Sequence, residues 1–357
     1  MKFVLQNRKT FTAILAIVAA LVSSCNDQKI EKPVANNPPA FETSNYVFTY
    51  ENWAEPKVWE LRKQEKLDSV IEGCKTDIEI FQRLTVWSRR QFKPGSPDPY
   101  PMSNGLDLLK DIRSGKTGGF CGQYTYLLAD ALKSFGFFDV RYVELWRDPQ
   151  NTHFMLEAWS NQFAKWVLLD PLYATTVTDD KNRFLSAWEV QSAVASKKDS
   201  SLKQSWLLPE SEVDHPSHGD YFSLFHLAAV SLRNNLASAD HPWTVKERYR
   251  DFLAMQGPFM KSPYLNQSNR EADFQSPRNI CSIRIEPQSN AARITLSNSG
   301  TCVHFDYFEV KVDSGKWMSA VPQFELKDKF KEIQCRTVNK MGIRGVVEKI
   351  ENKSNTM

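Results

Sequence analysis

"GGFCGQYTYLLADALKSFGF", residues 118–137, decides the reading of this chain. Tyr124, Leu127, Leu128, Ala131, Leu132 and Phe135 recur at three- and four-residue steps. That spacing makes one face of a helix apolar over almost three turns, and Gly136 supplies its stop. Cys121 lies one turn before Tyr124 on the same face, at the helix start. Unpaired N–H groups and the macrodipole at a helix N-terminus favour a thiolate there. The plain alternative is a core cysteine that happens to begin a helix.

The chain downstream changes period. "DVRYVELW" (139–146) and "HFMLEAW" (153–159) alternate as strands do, and "KWVLLDP" (165–171) is a third apolar run. His153, Met155, Glu157 and Trp159 share one face of the second strand. If the second and third strands pair through a two-residue turn at Asn161-Gln162, His153 lies directly across from Asp170. Directly opposed Cβ atoms are about 5 Å apart, close enough for the carboxylate to hold the imidazole. A thiol needs such a base to act as a nucleophile, and the base needs an orienting partner.

These residues resemble the transglutaminase-like superfamily. Its usual pattern is G-x-C-x-x-Y/F-A, a helix closed by glycine, x-A-R-x-V, a strand opening H-x-W-x-E, and g-x-W-x-x-x-D-P. The resemblance implies Cys121 as nucleophile, His153 as base and Asp170 as the orienting acid. Arg141, Glu157, Trp166 and Pro171 fall on recurrent accompanying positions. Some members carry a tryptophan upstream that donates to the oxyanion, which makes Trp87 a candidate. Trp87 also reads as core of its own helix, and the backbone N–H of Cys121 is the more general donor. The departures are Tyr124-Thr125, where an alanine often follows the aromatic, and Phe154-Met155, where Ala-Trp is usual. The match is close over about 55 residues and extends to about 220 if the flanking helices join the same domain.

The resemblance implies an α+β fold of the papain-like cysteine-protease kind, with N-terminal helices and antiparallel strands over residues 46–277. It implies acyl chemistry through a thioester: hydrolysis of an amide or peptide bond, or transfer to an amine. A non-catalytic scaffold that binds glycan, peptide or protein is the other reading, and an intact Cys, His and Asp set argues against it. The paired-cysteine zinc motif of the family's peptide N-glycanases is missing.

Before Cys121, "WELRKQEKLDSVIEGCKTDIEIFQRLTVWSRRQF" (59–92) is helical in spacing, with Cys74 on the apolar stripe. "KPGSPDPYPMSNG" breaks it, and "LDLLKDIRSGKTG" is a short helix closing on glycines. From about 180 to 275 the chain reads as mainly helical, with "YFSLFHLAAVSLRNNLA" and "TVKERYRDFLAMQ" the clearest segments. His226 falls on an apolar helix there and reads as a hydrogen-bonded core residue.

Beyond 278, seven short alternating runs from "ICSIRIEP" to "GVVEKIE" predict a small β-sandwich over 278–357. "VDSGKW" and "CRTVNKMGIRG" resemble patterns of immunoglobulin-like or fibronectin-like modules appended to exported bacterial enzymes.

The N-terminal end predicts export. Lys2, Arg8 and Lys9 precede an apolar run from Phe11 to Val22 that is short for a membrane span. "LVSSC" resembles the lipobox of bacterial lipoproteins, which implies cleavage before Cys25, a diacylglycerol on its sulfur and a place in the cell envelope. An ordinary signal peptide with Cys25 incidental is the alternative. Residues 26–45 read as a flexible tether.

Without Cys25, the remaining cysteines are Cys74, Cys121, Cys281, Cys302 and Cys335, an odd number for an oxidising compartment. Cys281 and Cys335 lie on sandwich core faces, and Cys281–Cys302 or Cys302–Cys335 disulfides fit the sequence. A net charge of +3 without a basic run gives no sign of nucleic acid. "DHPSHGD" holds Asp214, His215, His218 and Asp220, but no regular register fixes a ligand geometry, so it reads as a polar loop. No metal or cofactor is expected. The expected partners are a peptide, protein or cell-envelope amide substrate and a membrane reached through the lipid.

Overall fold

A computed structural model describes residues 44–98, 104–238, 245–257, 261–327 and 329–352, all within one compact unit. The leader, Cys25 and the tether up to residue 43 lie outside them. Among the described residues no helix is long and apolar enough to cross a membrane.

The helix that opens at Cys121 is the axis of the fold. With the helices before it, the order is α1 (Pro56–Gln64), α2 (Leu67–Val70), α3 (Asp77–Arg89), α4 (Gly105–Arg113) and α5 (Cys121–Lys133). α5 is buried on nearly every side, so even its polar residues need partners. Lys133, fully buried, bonds Asp130 at 2.6 Å, Asn234 O at 3.0 Å and Glu51 at 3.4 Å. The helix stops at Gly136, whose φ of +90° is a conformation side chains avoid. A Cβ on Gly136 would also stand 2.6 Å from Met341 Cβ in the C-terminal region.

Four strands follow: β1 (Val140–Asp148), β2 (Asn151–Ser160), β3 (Lys165–Asp170) and β4 (Thr175–Thr178). Then come α6 (Ala187–Ala195), β5 (Lys203–Trp206), α7 (His218–Ser223), β6 (Leu227–Ser231), α8 (Val245–Asp251), β7 (Phe252–Met255), β8 (Asn266–Ser268) and α9 (Glu271–Gln275). One eight-stranded sheet has the order β5-β4-β3-β2-β1-β6-β7-β8, antiparallel except for the parallel β7–β8 pair. Its strands alternate between two cores. Tyr142, Phe154, Leu156 and Leu169 pack with α5 and the helices before it. Val143, Leu145, Met155 and Leu168 pack with Val190, Tyr221, Phe222 and Phe225. The sheet is therefore covered on both faces.

Three sequence expectations change here. The helical stretch before Cys121 is three helices, because Lys66 and Gly73 turn left-handed at φ of 52° and 81°. Cys74 consequently lies in the turn before α3, half-buried, where burial pushes its thiol up. The stretch from 180 to 275 is not mainly helical: "LAAVS" and "FLAM" are β6 and β7, on the far side of β1. Short apolar runs fit a buried strand as well as a helix, and the free edge of β1 decides between them. The β2–β3 turn holds the four residues 161–164 with Ala164 left-handed, so Leu156 pairs with Leu169 and Trp159 with Trp166. His153 and Asp170 stay on one face but become diagonal rather than opposed.

The C-terminal strands are β9 (Cys281–Pro287), β10 (Ala292–Asn298), β11 (Phe305–Val312), β12 (Met318–Ala320), β13 (Gln323–Leu326), β14 (Glu332–Asn339) and β15 (Glu348–Glu351). They form two sheets, β13-β10-β9 and β12-β11-β14-β15, around one core of Ile294, Leu296, Phe308, Val310 and Ile333. A disulfide joins Cys281 to Cys335 across the sheets, so neither pairing that involved Cys302 is formed. Cys302 is a free thiol pushed up to about 11 by burial. Closing a loop with a sequence separation of 54 contributes about 4 kcal/mol in the chain-entropy account. The region is bonded to the first: Asn339 Nδ2 donates to Gly136 O at 2.9 Å and Asn279 Nδ2 to Asp139 at 3.0 Å.

Candidate active site

Cys121 is the first residue of α5, half-buried, with its helix N-terminus uncapped by any side chain of Phe120. Gly118 and Gly119 before it are pinned to the preceding loop: Gly95 N donates to Gly119 O at 2.9 Å and Gly118 N to Ser96 O at 3.2 Å. A Cβ on Gly118 would collide with that backbone, which is the local reason for glycine there. Thr125, in the place where the family often has alanine, donates to Cys121 O at 2.8 Å and to Phe154 O at 3.0 Å. The threonine thus ties the first turn of α5 to β2.

His153 is buried on β2, in register with Leu145 of β1. Its Nε2 lies 2.8 Å from Asp170 Oδ2. The diagonal register is bridged by the length of the two side chains. With Nε2 engaged, Nδ1 is the nitrogen left for Cys121, whose side chain is among the groups that act on the imidazole. Burial alone would lower the imidazole's pKa. The Asp170 carboxylate and the sulfur outweigh it and push it up to about 10.

Asp170 closes β3 and is fully enclosed. Its Oδ1 accepts from Leu172 N at 3.1 Å and Tyr173 N at 3.3 Å, the geometry of an Asx turn. Its Oδ2 accepts from Tyr221 Oη at 3.2 Å as well as facing His153. The Tyr173 ring lies 5.4 Å from the His153 ring and 6.0 Å from that of Tyr221. Burial, with the Asp170 and Cys121 charges, pushes the Tyr173 phenol up to about 12.

Arg141, Glu157 and Trp166 form one buried cluster behind the site. Arg141 pairs with Glu157 through Nη2, donates to Phe274 O at 2.7 Å and sits 3.8 Å over the Trp166 ring. Glu157 also accepts from Ala187 N at 3.0 Å, at the start of α6. Their role is to hold β1, β2, β3 and α6 together.

Trp87 is half-buried on α3, where it packs on the core and lines a groove of about 460 Å³ with Val70, Val86 and Leu207. Cys121 does not line that groove. The "DHPSHGD" histidines go to separate carbonyls: His215 Nε2 lies 2.9 Å from Leu208 O and His218 Nε2 lies 3.2 Å from Leu202 O. Among the described residues no group of three or more His, Cys, Asp or Glu is arranged to hold a metal. His226 is half-buried at the end of a 3₁₀ turn, not within a helix. Cys25 lies outside the described residues.

Thus Cys121, His153 and Asp170, far apart in sequence, are brought together, with His153 bonded to Asp170 and Cys121 acting on the same imidazole. Tyr173 and Tyr221 are the site residues the sequence reading missed. Tyr173 had a signal, three residues past Asp170. Tyr221 had none, since only folding brings α7 onto the end of β3.

Residues 64–171 match the family model described as transglutaminase-like superfamily, a span that runs from the end of α1 through Asp170 and Pro171. Among solved structures, the chain is similar to red sea bream transglutaminase at 8% identity, over 85% of this chain and 76% of that one, with a TM-score of 0.25. A TM-score that low adds nothing to the family match. Comparison with curated proteins gives no match. Residues 64–171 are a transglutaminase-like domain within a mixed α+β fold, followed by a strand-rich region.

Proposed function

We propose that this chain is an exported cysteine enzyme that hydrolyses an amide or peptide bond through a thioester on Cys121. The observation that carries the reading is the buried His153–Asp170 hydrogen bond at 2.8 Å with Cys121, at the start of α5, acting on the same imidazole. An imidazole that keeps its proton at neutral pH stabilises a thiolate beside it by charge. That thiolate attacks the carbonyl carbon, the C–S bond forms, and the carbonyl π pair moves to oxygen. The backbone N–H of Cys121 at the helix start is the donor for that oxygen. On collapse the C–N bond breaks and His153 delivers its proton to the departing amine. Water, giving a proton back to His153, then attacks the thioester carbon and the C–S bond breaks. Hydrolysis is favoured over transfer to an amine because water is abundant at a cell surface and a specific amine is not. The substrate is then a peptide, protein or other cell-envelope amide.

The test is labelling with iodoacetamide as a function of pH. Stoichiometric alkylation of Cys121 at pH 6–7 is expected, slowed at least about tenfold in His153→Ala. Equal rates in the two proteins would make Cys121 an ordinary cysteine and the likeness one of fold alone.

Export and lipid attachment at Cys25 belong to the same reading. Its supports are the "LVSSC" stretch and the Cys281–Cys335 disulfide, a bond that persists in oxidising compartments. Detergent, and not concentrated salt, is expected to release the protein from membranes, because buried acyl chains contribute about 0.8 kcal/mol per methylene. Cys25→Ser is expected to leave an unprocessed or soluble form. Wild-type protein found free with an unmodified N-terminus would remove this claim.

A further inference from the structure

The Asp170 carboxylate has four donors around it, and one of them comes from an element that the catalytic motif does not include. Two are the backbone N–H groups of its own turn, and the third is His153. The fourth is the Tyr221 hydroxyl, at 3.2 Å from Oδ2. Tyr221 is fully buried on α7, with its ring against Phe222, Phe225 and Tyr173. Phenylalanine would fill that apolar space equally well, so packing alone gives no reason for a hydroxyl there. A buried phenol needs a partner, and a buried carboxylate needs its lone pairs satisfied.

From this geometry we infer that Tyr221 is a positioning residue, which holds the Asp170 carboxylate aimed at His153 and so shapes the pH profile of Cys121 reactivity. The inference rests on the reading of Cys121, His153 and Asp170 as the reacting groups. Tyr221 itself touches neither the thiol nor the leaving group. It acts on the charge balance of the site, where the reacting thiolate of the proposed mechanism adds a negative charge beside the His153–Asp170 pair. A donor to that cluster favours its deprotonated state, and its loss favours the proton. The other titratable groups facing the cluster are the Tyr173 phenol and, acting on Tyr173 from the segment before α7, the Asp214 carboxylate. Neither replaces the Tyr221 donor, because neither is hydrogen-bonded to Asp170 Oδ2.

The test is the pH profile of Cys121 alkylation by iodoacetamide in the full chain, which needs no substrate. Tyr221→Phe is expected to move the acid limb of the profile up by about one pH unit, a roughly tenfold slower reaction on that limb, with the plateau retained. Placing 3-fluorotyrosine at position 221, a stronger donor in the same ring, is expected to move the limb down. This variant keeps the hydroxyl, so it tests the inference even if Tyr221→Phe folds poorly. In an Asp170→Asn background Tyr221→Phe is expected to move nothing further. A merely structural tyrosine would change the melting temperature and leave the limb in place. A limb that depends on His153 but is the same in wild type, Tyr221→Phe and the fluorotyrosine protein overturns the role of Tyr221 alone. A wild-type limb indifferent to His153→Ala overturns the underlying reading, and this inference with it.

Discussion

Cys121→Ser is expected to abolish amide hydrolysis while the protein unfolds as before. Serine keeps the shape of the half-buried side chain, so the stability change should stay within about 1 kcal/mol. A hydroxyl, however, is a far weaker acid than a thiol and does not supply the anionic nucleophile that the proposed mechanism requires. Removal of an activated nucleophile costs rates on the order of 10⁴-fold or more, because the remaining groups of the site act only with it. The measurement is product formation, by mass spectrometry, from peptide and cell-envelope amide libraries, together with a trapped acyl adduct on Cys121. Turnover by the serine protein within tenfold of wild type would place the chemistry elsewhere in the chain. Loss of activity with collapse of the fold would instead mark Cys121 as a packing residue.

The largest expected loss of stability lies behind the site, at the buried pair of Arg141 and Glu157. Glu157→Ala leaves a guanidinium enclosed between the Trp166 ring and Phe274 O without its counter-charge. It also strips Ala187 N of its acceptor at the start of α6. Breaking a buried pair on one side costs about 3–5 kcal/mol, since the remaining charge keeps its desolvation penalty. For a chain of this size that lowers the melting temperature by roughly 10 °C. Glu157→Gln keeps one acceptor oxygen, for Arg141 or for Ala187 N, and is expected to lose less. Urea unfolding of the three proteins decides it, and a loss below about 1 kcal/mol for Glu157→Ala would mean that water reaches Arg141 and the cluster is not closed.

These two predictions concern residues that a motif placed in sequence, and they differ in how far the motif explained them. For Cys121 the local pattern carried most of the information. Its helix, the stop at Gly136 and the strands on either side of His153 are written in periodicity over a few residues, and periodicity survives any tertiary arrangement. For Arg141, Glu157 and Trp166 the sequence marked positions without a reason. The reason is a guanidinium stacked on Trp166 and bonded to Glu157, which exists only when β1, β2 and β3 lie side by side.

Where local pattern was ambiguous, the structure decided by closure. "LAAVS" and "FLAM" are short enough to be read as helix, but β1 has an edge opposite β2 whose backbone groups are satisfied by β6, and the far edge of β6 is in turn paired by β7. The β2–β3 register turned on two residues of turn, Phe163 and Ala164, and alternation is blind to a shift of two because it preserves the face. Hence the face shared by His153 and Asp170 was legible, and their diagonal placement was not. The disulfide followed the same rule. Cys281 and Cys335 were legible as core residues of two strands, but their bond depended on which strands of the two sheets face each other.

By itself, then, the sequence determined the helix that begins at Cys121, the strands that carry His153 and Asp170, the seven strands of the C-terminal region and the family of the central motif. Each rests on contacts between near neighbours in the chain or on side-chain period, which the order of residues states directly. Only the tertiary structure decided the eight-strand order, the Cys281–Cys335 bond and the arrival of Tyr221 at Asp170. Each of these joins segments distant along the chain, and their meeting is set by the burial of both faces of one sheet, a property of the whole fold that no local stretch contains.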